Sequence, residues 1–135
     1  MMDRARLIWR TAEVQCGEYL QRKGYRLITL NFRCRGGEID IIAQDPIRRG
    51  PFGLIKYGGY IVFVEVKLRS SRVMGEAREA VNWRKQQRIK LAAKVYLAKH
   101  DITSLQPRFD VMEVYPGEKP GESEPEIHHF INAFE

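Results

Sequence analysis

The segment Tyr60–Leu68, Y-I-V-F-V-E-V-K-L, constrains this chain more than any other. Nine residues rich in β-branched and aromatic side chains predict a strand. Side chains alternate across a strand, so Val62, Val64, Val66 and Leu68 share one uniformly apolar face. Ile61, Phe63, Glu65 and Lys67 share the other, which begins apolar and ends with a carboxylate and an ammonium. A central strand rarely buries such a pair without partners or a purpose.

The rest of the chain supplies a sheet for that strand and helices to cover it. Ala12, Cys16, Tyr19 and Leu20 fall at helical spacing and predict a helix over Thr11–Lys23, stopped by Gly24. Tyr25–Arg33 reads as a strand, Gly36-Gly37 as a turn and Ile39–Ala43 as a short strand. Residues 44–59, with two prolines and four glycines, read as a connecting loop. Val81, Ile89, Ala92, Ala93, Tyr96 and Leu97 mark the apolar stripe of a basic helix from about Gly75 to Lys99, with Trp83 and Tyr96 as core or interface residues. Strands are predicted at Phe109–Tyr115 and Ile127–Phe134, joined by a polar, turn-rich loop at residues 116–125. The order helix, three strands, helix, two strands predicts an α/β fold, a mixed β-sheet flanked by helices, in one domain over residues 1–135.

A second acidic residue answers Glu65. In G-E-I-D-I-I, Asp40 stands between Ile39 and Ile41, and strict alternation puts it on the face of Ile42. If this strand pairs antiparallel with Tyr60–Leu68, Asp40 lies beside Glu65. Two adjacent carboxylates repel, which calls for positive charge between them. A divalent cation on oxygen ligands is one answer, with Lys67 placed to orient an attacking water or to neutralise a phosphate. A buried Asp–Lys–Glu ion-pair network in an ordinary sheet is the other.

The arrangement resembles the PD-(D/E)XK nuclease superfamily. More closely, GEYLQRKGYRLITLNFRCRGGEIDIIA, YIVFVEVKLRS, EAVNWRKQQRIKLAAKVYL, RFDVMEV and the closing INAF, in that order, are similar to the YraN family of small bacterial endonuclease-like proteins. The resemblance implies a restriction-endonuclease-like core of order αβββαβ. It implies Asp40 and Glu65 as ligands of Mg²⁺ or Mn²⁺, Lys67 as the catalytic lysine, and Glu18 as an extra acidic residue on the first helix. No proline precedes Asp40, in departure from the superfamily pattern. Relatives usually join the Asp strand to the E-x-K strand by a short turn. Here residues 46–58, within an inserted hairpin loop at about 44–59, lengthen the connection, and their Arg48, Arg49 and Lys56 are within reach of a phosphate backbone, unless the insertion is merely tolerated.

The charge distribution bears on partners. The net charge is +6, yet residues 1–100 hold 21 basic and 9 acidic side chains, a net +12, while residues 101–135 hold 2 and 8, a net −6. A basic body makes nucleic acid, DNA in particular, a candidate partner; a solvated charged surface is the plain alternative. Arg84, Lys85, Arg88, Lys90 and Lys94 decorate the second helix as candidate phosphate contacts. Gln86 on its apolar stripe suggests a polar partner near the site, and Glu38 a further ligand or a turn residue. His128 and His129, neighbours in a strand, point to opposite faces and suit no shared ion. Cys16 and Cys34 match no metal or redox spacing. No apolar run has the length of a membrane span, and the first residues do not read as a signal peptide, so a cytoplasmic location is expected. A homodimer would suit paired cuts in a branched substrate. The leading expectation is therefore a metal-dependent nuclease. The alternatives are a nucleic-acid-binding accessory protein that keeps the fold without turnover, and an interaction module whose charged cluster is purely structural.

Overall fold

The computed structural model describes residues 4–69, 81–117 and 124–135, and of residues 4–11 the backbone only. Helix α1 spans Arg4–Arg22, so it begins before the Thr11 start that side-chain spacing predicts. It ends as expected. Gly24 adopts φ of 93°, and the amide of Tyr25 donates back to the carbonyl of Leu20 at 2.9 Å, closing the last turn. Strands β1 (Arg26–Cys34) and β2 (Gly37–Asp45) form an antiparallel hairpin. A small second hairpin follows, β3 (Arg48–Arg49) and β4 (Lys56–Tyr57), with a 3₁₀ turn at Pro51–Gly53 between them. Then come β5 (Tyr60–Leu68), helix α2 (Trp83–His100), β6 (Gln106–Tyr115) and β7 (Glu126–Phe134).

The main sheet has the order β1-β2-β5-β6-β7. The β1–β2, β2–β5 and β6–β7 pairs are antiparallel and β5–β6 is parallel, with α2 in the crossover between β5 and β6. Alternation along the central strand builds two cores. Ile61 and Phe63 pack with Ile39, Ile42 and Val111 against Ile89, Ala92, Ala93 and Tyr96 of α2. Val62 and Val64 pack with Ile41, Ala43, Met112 and Val114 against Cys16 and Leu20 of α1. One helix thus covers each face, as a sheet apolar on both sides requires. This is the predicted mixed α/β architecture, compatible with a restriction-endonuclease-like core plus the added edge strand β7. Among the described residues no helix is long and apolar enough to cross a membrane.

Two local predictions change. The second helix begins at Trp83, not near Gly75. Asn82 is its N-cap, with extended backbone and a side-chain oxygen that accepts from the Lys85 amide at 2.9 Å. Residues 75–80 of the predicted helix lie outside the described residues, and Val81 joins the core from the approach to the helix rather than from its stripe. The stretch 44–59 is more ordered than a connecting loop, because β2 continues to Asp45 and the β3–β4 hairpin stands on it. Gly58, at φ of 84°, lets that hairpin close: a Cβ there would lie 2.1 Å from the carbonyl oxygen of Pro46.

The hairpin end of the sheet is fastened by a buried ionic network. Arg108 donates to Asp45 at 3.0 Å, to both oxygens of Asp110 at 2.9 and 2.8 Å, and to the Tyr25 hydroxyl at 2.7 Å. Asp110 also accepts from the Asn132 amide and meets His129 Nε2 at 2.7 Å. His128 faces the other way, onto Glu126. Removing the guanidinium would leave two buried carboxylates short of a partner. Arg108→Met is expected to lower stability by about 3–5 kcal/mol in urea unfolding; a loss below about 1 kcal/mol would show that the network is not what holds this end.

Candidate functional site

At the opposite end of the β2–β5 pair the ladder stops. Its rungs run from Asp45↔Tyr60 to Ile41↔Val64. The next rung would join Asp40 to Glu65, but instead the carboxylate of Asp40 accepts the Val66 amide at 2.8 Å. Alternation also slips here. Ile39 and Ile42 both enter the core under α2, whereas Ile41 and Ala43 enter the core under α1. Asp40 therefore does not simply share the face of Ile42. Its carboxylate sits where the strands part, within electrostatic reach of Glu65 and of Glu13 and Cys16 on α1. A side chain that replaces a ladder hydrogen bond is held by backbone, and so is fixed in position.

Glu65 is only 3% exposed, and two ammonium groups reach its Oε1: Lys85 at 2.6 Å and Lys67 at 3.7 Å. Lys85 belongs to the first turn of α2, whose entry is set by the Asn82 cap and by the Gln86 side-chain amide donating to the Val81 carbonyl. Farther along, α2 rests on the start of β2, where a Cβ on Gly37 would lie 2.4 Å from the Arg88 carbonyl oxygen. Close docking of backbone on backbone thus delivers Lys85 to the strand end. Lys85 was expected among the outward phosphate contacts; its ammonium instead faces Glu65. Arg84, Arg88 and Lys94 are exposed on the same helix.

The electrostatics follow from this crowding. Burial, then the charge of Glu65, raise the Asp40 carboxyl to about 7, against the smaller pull of the Val66 amide and Lys85. Burial and then Asp40 push Glu13 up as well. The Cys16 thiol, beneath both, is raised to about 12 by burial and then by Asp40 and Glu13, so it stays protonated. Burial opposes the charge on Lys85, but its hydrogen bond to Glu65 and the nearby carboxylates outweigh that and raise it.

Glu18, the residue expected from the first helix, is elsewhere. It is exposed and lines a shallow pocket with Gln15, Tyr19 and Arg22 against Glu124, Pro125 and Ile127. Five residues are about 140° round a helix, so Glu13 and Glu18 face different directions. Glu13 is the acidic group that α1 brings to Asp40, and its sequence signal was available: it stands three residues before Cys16 and seven before Leu20, on the buried stripe. Glu38 lies at the rim, 3.8 Å from Arg33. Arg48 turns inward to Asp45, while Arg49 and Lys56 are exposed on the hairpin. Beside Lys67, on the neighbouring strand, Glu113 is 1% exposed and accepts from the Tyr115 hydroxyl at 2.6 Å and from Arg69 at 3.1 Å; nothing in the sequence pattern singled it out.

Asp40 and Glu65 together offer buried hard oxygen donors side by side, which fits a divalent cation of the magnesium type. Among the described residues no group of three or more His, Cys, Asp or Glu side chains is placed to hold a metal ion, so such a cation would retain several waters. In its absence the raised Asp40 carboxyl has a thermodynamic signature. The folded chain binds a proton more tightly than the unfolded one, so the group favours folding below its ordinary value near 4. It loses that contribution as pH rises through about 7. Asp40→Asn is therefore expected to stabilise the metal-free protein at pH 8 by about 1–3 kcal/mol and to change little near pH 4. Thermal melts across this range check it, and a variant less stable than the parent at pH 8 would contradict it.

Comparison with known proteins places this arrangement in a family. The profile of the uncharacterised protein family UPF0102 matches residues 12–114. A UPF0102 protein of Alkaliphilus metalliredigens is 45% identical over 87% of this chain and 89% of its own length. One from Caldanaerobacter subterraneus is 42% identical over 87% of this chain and 85% of its own. One from Hahella chejuensis is 42% identical over 78% and 75%. With the match spanning both carboxylates, the E-x-K strand and all of α2, the chain belongs to the uncharacterised family UPF0102, the YraN family.

Proposed function

We propose that this protein is a metal-dependent nuclease that hydrolyses phosphodiester bonds in DNA. One observation carries the reading: two carboxylates from adjacent strands converge where the ladder ends, and burial, then the charge of Glu65, raise the Asp40 carboxyl to about 7. Asp40 is met by the Val66 amide beside the charge of Glu65, whereas Asp45 and Asp110 at the other end are each met directly by the Arg108 guanidinium.

Asp40 and Glu65 would hold Mg²⁺ or Mn²⁺. When bound, the ion would polarise a phosphate oxygen and lower the pKa of a water. Lys67, about a quarter exposed and beside Glu65, would orient the attacking water and neutralise charge on the phosphate. Lys85 neutralises Glu65 in the free protein, and with Glu65 otherwise engaged its ammonium would turn to the substrate. Arg84 and Arg88, exposed farther round α2, would seat the flanking phosphates without reading sequence.

A second reading has its own observation. Because Lys85 already sits 2.6 Å from Glu65, the site is partly neutralised from within, which suits a nucleic-acid-binding accessory protein that does not turn over. Cleavage separates the two. Pure protein with Mn²⁺ is expected to cut DNA, and Asp40→Asn, Glu65→Gln and Lys67→Met to lose at least ~100-fold in rate. Cleavage unchanged in Glu65→Gln would sink the nuclease reading. Salt-sensitive DNA binding without cleavage would establish the second.

A further inference from the structure

The β3–β4 hairpin carries a surface that the folded chain leaves uncovered. Phe52 is 96% exposed, Leu54 83% and Ile55 66%. Phe52 also adopts φ of 64°, a left-handed conformation that costs energy for any residue with a Cβ. Arg49 and Lys56 flank these apolar groups, and residues 46–58 contain no acidic side chain. The base of the hairpin, in contrast, is tightly held. Arg48 pairs with Asp45, donates to the Lys23 carbonyl at 3.3 Å and lies over the rings of Tyr25 and Tyr57. Asp45 in turn is gripped by Arg108, and Gly59 donates to the Asp45 carbonyl at 2.7 Å. The result is a short projection with a braced root and an apolar, cationic tip.

An exposed apolar cluster on a projection calls for a partner. Charge complementarity selects it: apolar and aromatic side chains between cations match bases between phosphates. Position supports the same choice. The hairpin rises from the Asp45↔Tyr60 rung, five residues along β2 from Asp40, or about 17 Å at strand spacing. At about 3.4 Å per stacked nucleotide this is roughly five nucleotides from the carboxylates. We propose that the hairpin is a wedge that seats Phe52 and Leu54 against unstacked bases at a branch or fork in nucleic acid, with Arg49 and Lys56 on the adjoining phosphates. A continuous duplex must be unstacked to accept the wedge, whereas a fork already exposes a base face, so the device selects branched over continuous substrate. This deepens the nuclease reading by naming its substrate class, and it rests on that reading for nucleic acid that reaches both ends of the β2–β5 pair.

The test measures binding and cleavage separately. In EDTA, the full chain is titrated into a fluorescent forked DNA and into a continuous duplex of the same sequence. Wild type is expected to favour the fork. Phe52→Ala/Leu54→Ala, which removes only exposed side chains and whose folding is checked by its melting curve, should bind the fork about tenfold more weakly and the duplex within about twofold of wild type. Arg49→Ala/Lys56→Ala should weaken both and flatten the salt dependence. Equal affinity of wild type and Phe52→Ala/Leu54→Ala for the fork would overturn the wedge. So would loss of self-association in that variant by sedimentation, or capture of wild type by anionic vesicles in preference to DNA. Mn²⁺ cleavage of the plain duplex, with Glu65→Gln as control, is read in parallel. Fork preference without cleavage keeps the wedge and discards the nuclease; cleavage with no effect at Phe52 and Leu54 does the reverse.

Discussion

The burial of two carboxylates side by side on neighbouring strands sets the terms for the carboxylate end of this molecule. Asp40 and Glu65 meet where β2 and β5 part, and the groups around them respond to that meeting. The Val66 amide fixes one carboxylate in place of a ladder bond, and Lys85 and Lys67 attend the other. Even the fit of α2 against Gly37 serves the arrangement, because only a helix this close can present Lys85 from its first turn. Burial, and then the charge of Glu65, leave the Asp40 carboxyl raised all the same.

The other end of the same strands makes the contrast. There Asp45 and Asp110 are also buried, but a bidentate guanidinium, a second arginine, a histidine and a backbone amide meet them, and Asp110 is held below its ordinary value despite its burial. A densely paired network fixes geometry, while a more sparsely paired one leaves room for an incoming cation or phosphate. The same comparison accounts for part of the negative charge in the last 35 residues. Asp110 and Glu113 are internal partners of Arg108 and Arg69, and Asp101 ends α2 in a left-handed conformation. That segment is largely sheet, and some of its acid belongs to the interior.

Much of this was legible from the residues. The E-x-K strand, its antiparallel Asp partner and the two covering helices follow from alternation and helical spacing, which are local properties. What escaped was non-local. Strict alternation placed Asp40 with Ile42, but tertiary packing slips the strand by one residue at the point where pairing ends. Glu18 drew attention through a family motif, whereas the buried stripe of α1 marks Glu13. Lys85 looked like one cation among many with the helix begun near Gly75; Asn82, a residue type suited to an N-cap, was the signal that would have put Lys85 in the first turn. Arg108 and Asp110 drew no reading from the sequence; their importance appears only once Asp45 and Tyr25, distant in sequence, are brought against them.

The β2–β5 ladder also has a consequence for how such a chain can diverge. Its rungs from Ile41↔Val64 to Asp45↔Tyr60 separate the carboxylates from the β3–β4 hairpin, and the Arg108 clamp closes the hairpin end. Insertions, deletions or replacement at the tip, between Arg49 and Lys56, leave the Arg48 brace and the rungs in place, with no lever arm to move Asp40 or Glu65. Descendants of one scaffold can therefore exchange the projection repeatedly under mutation while the spacing of the acidic pair stays fixed.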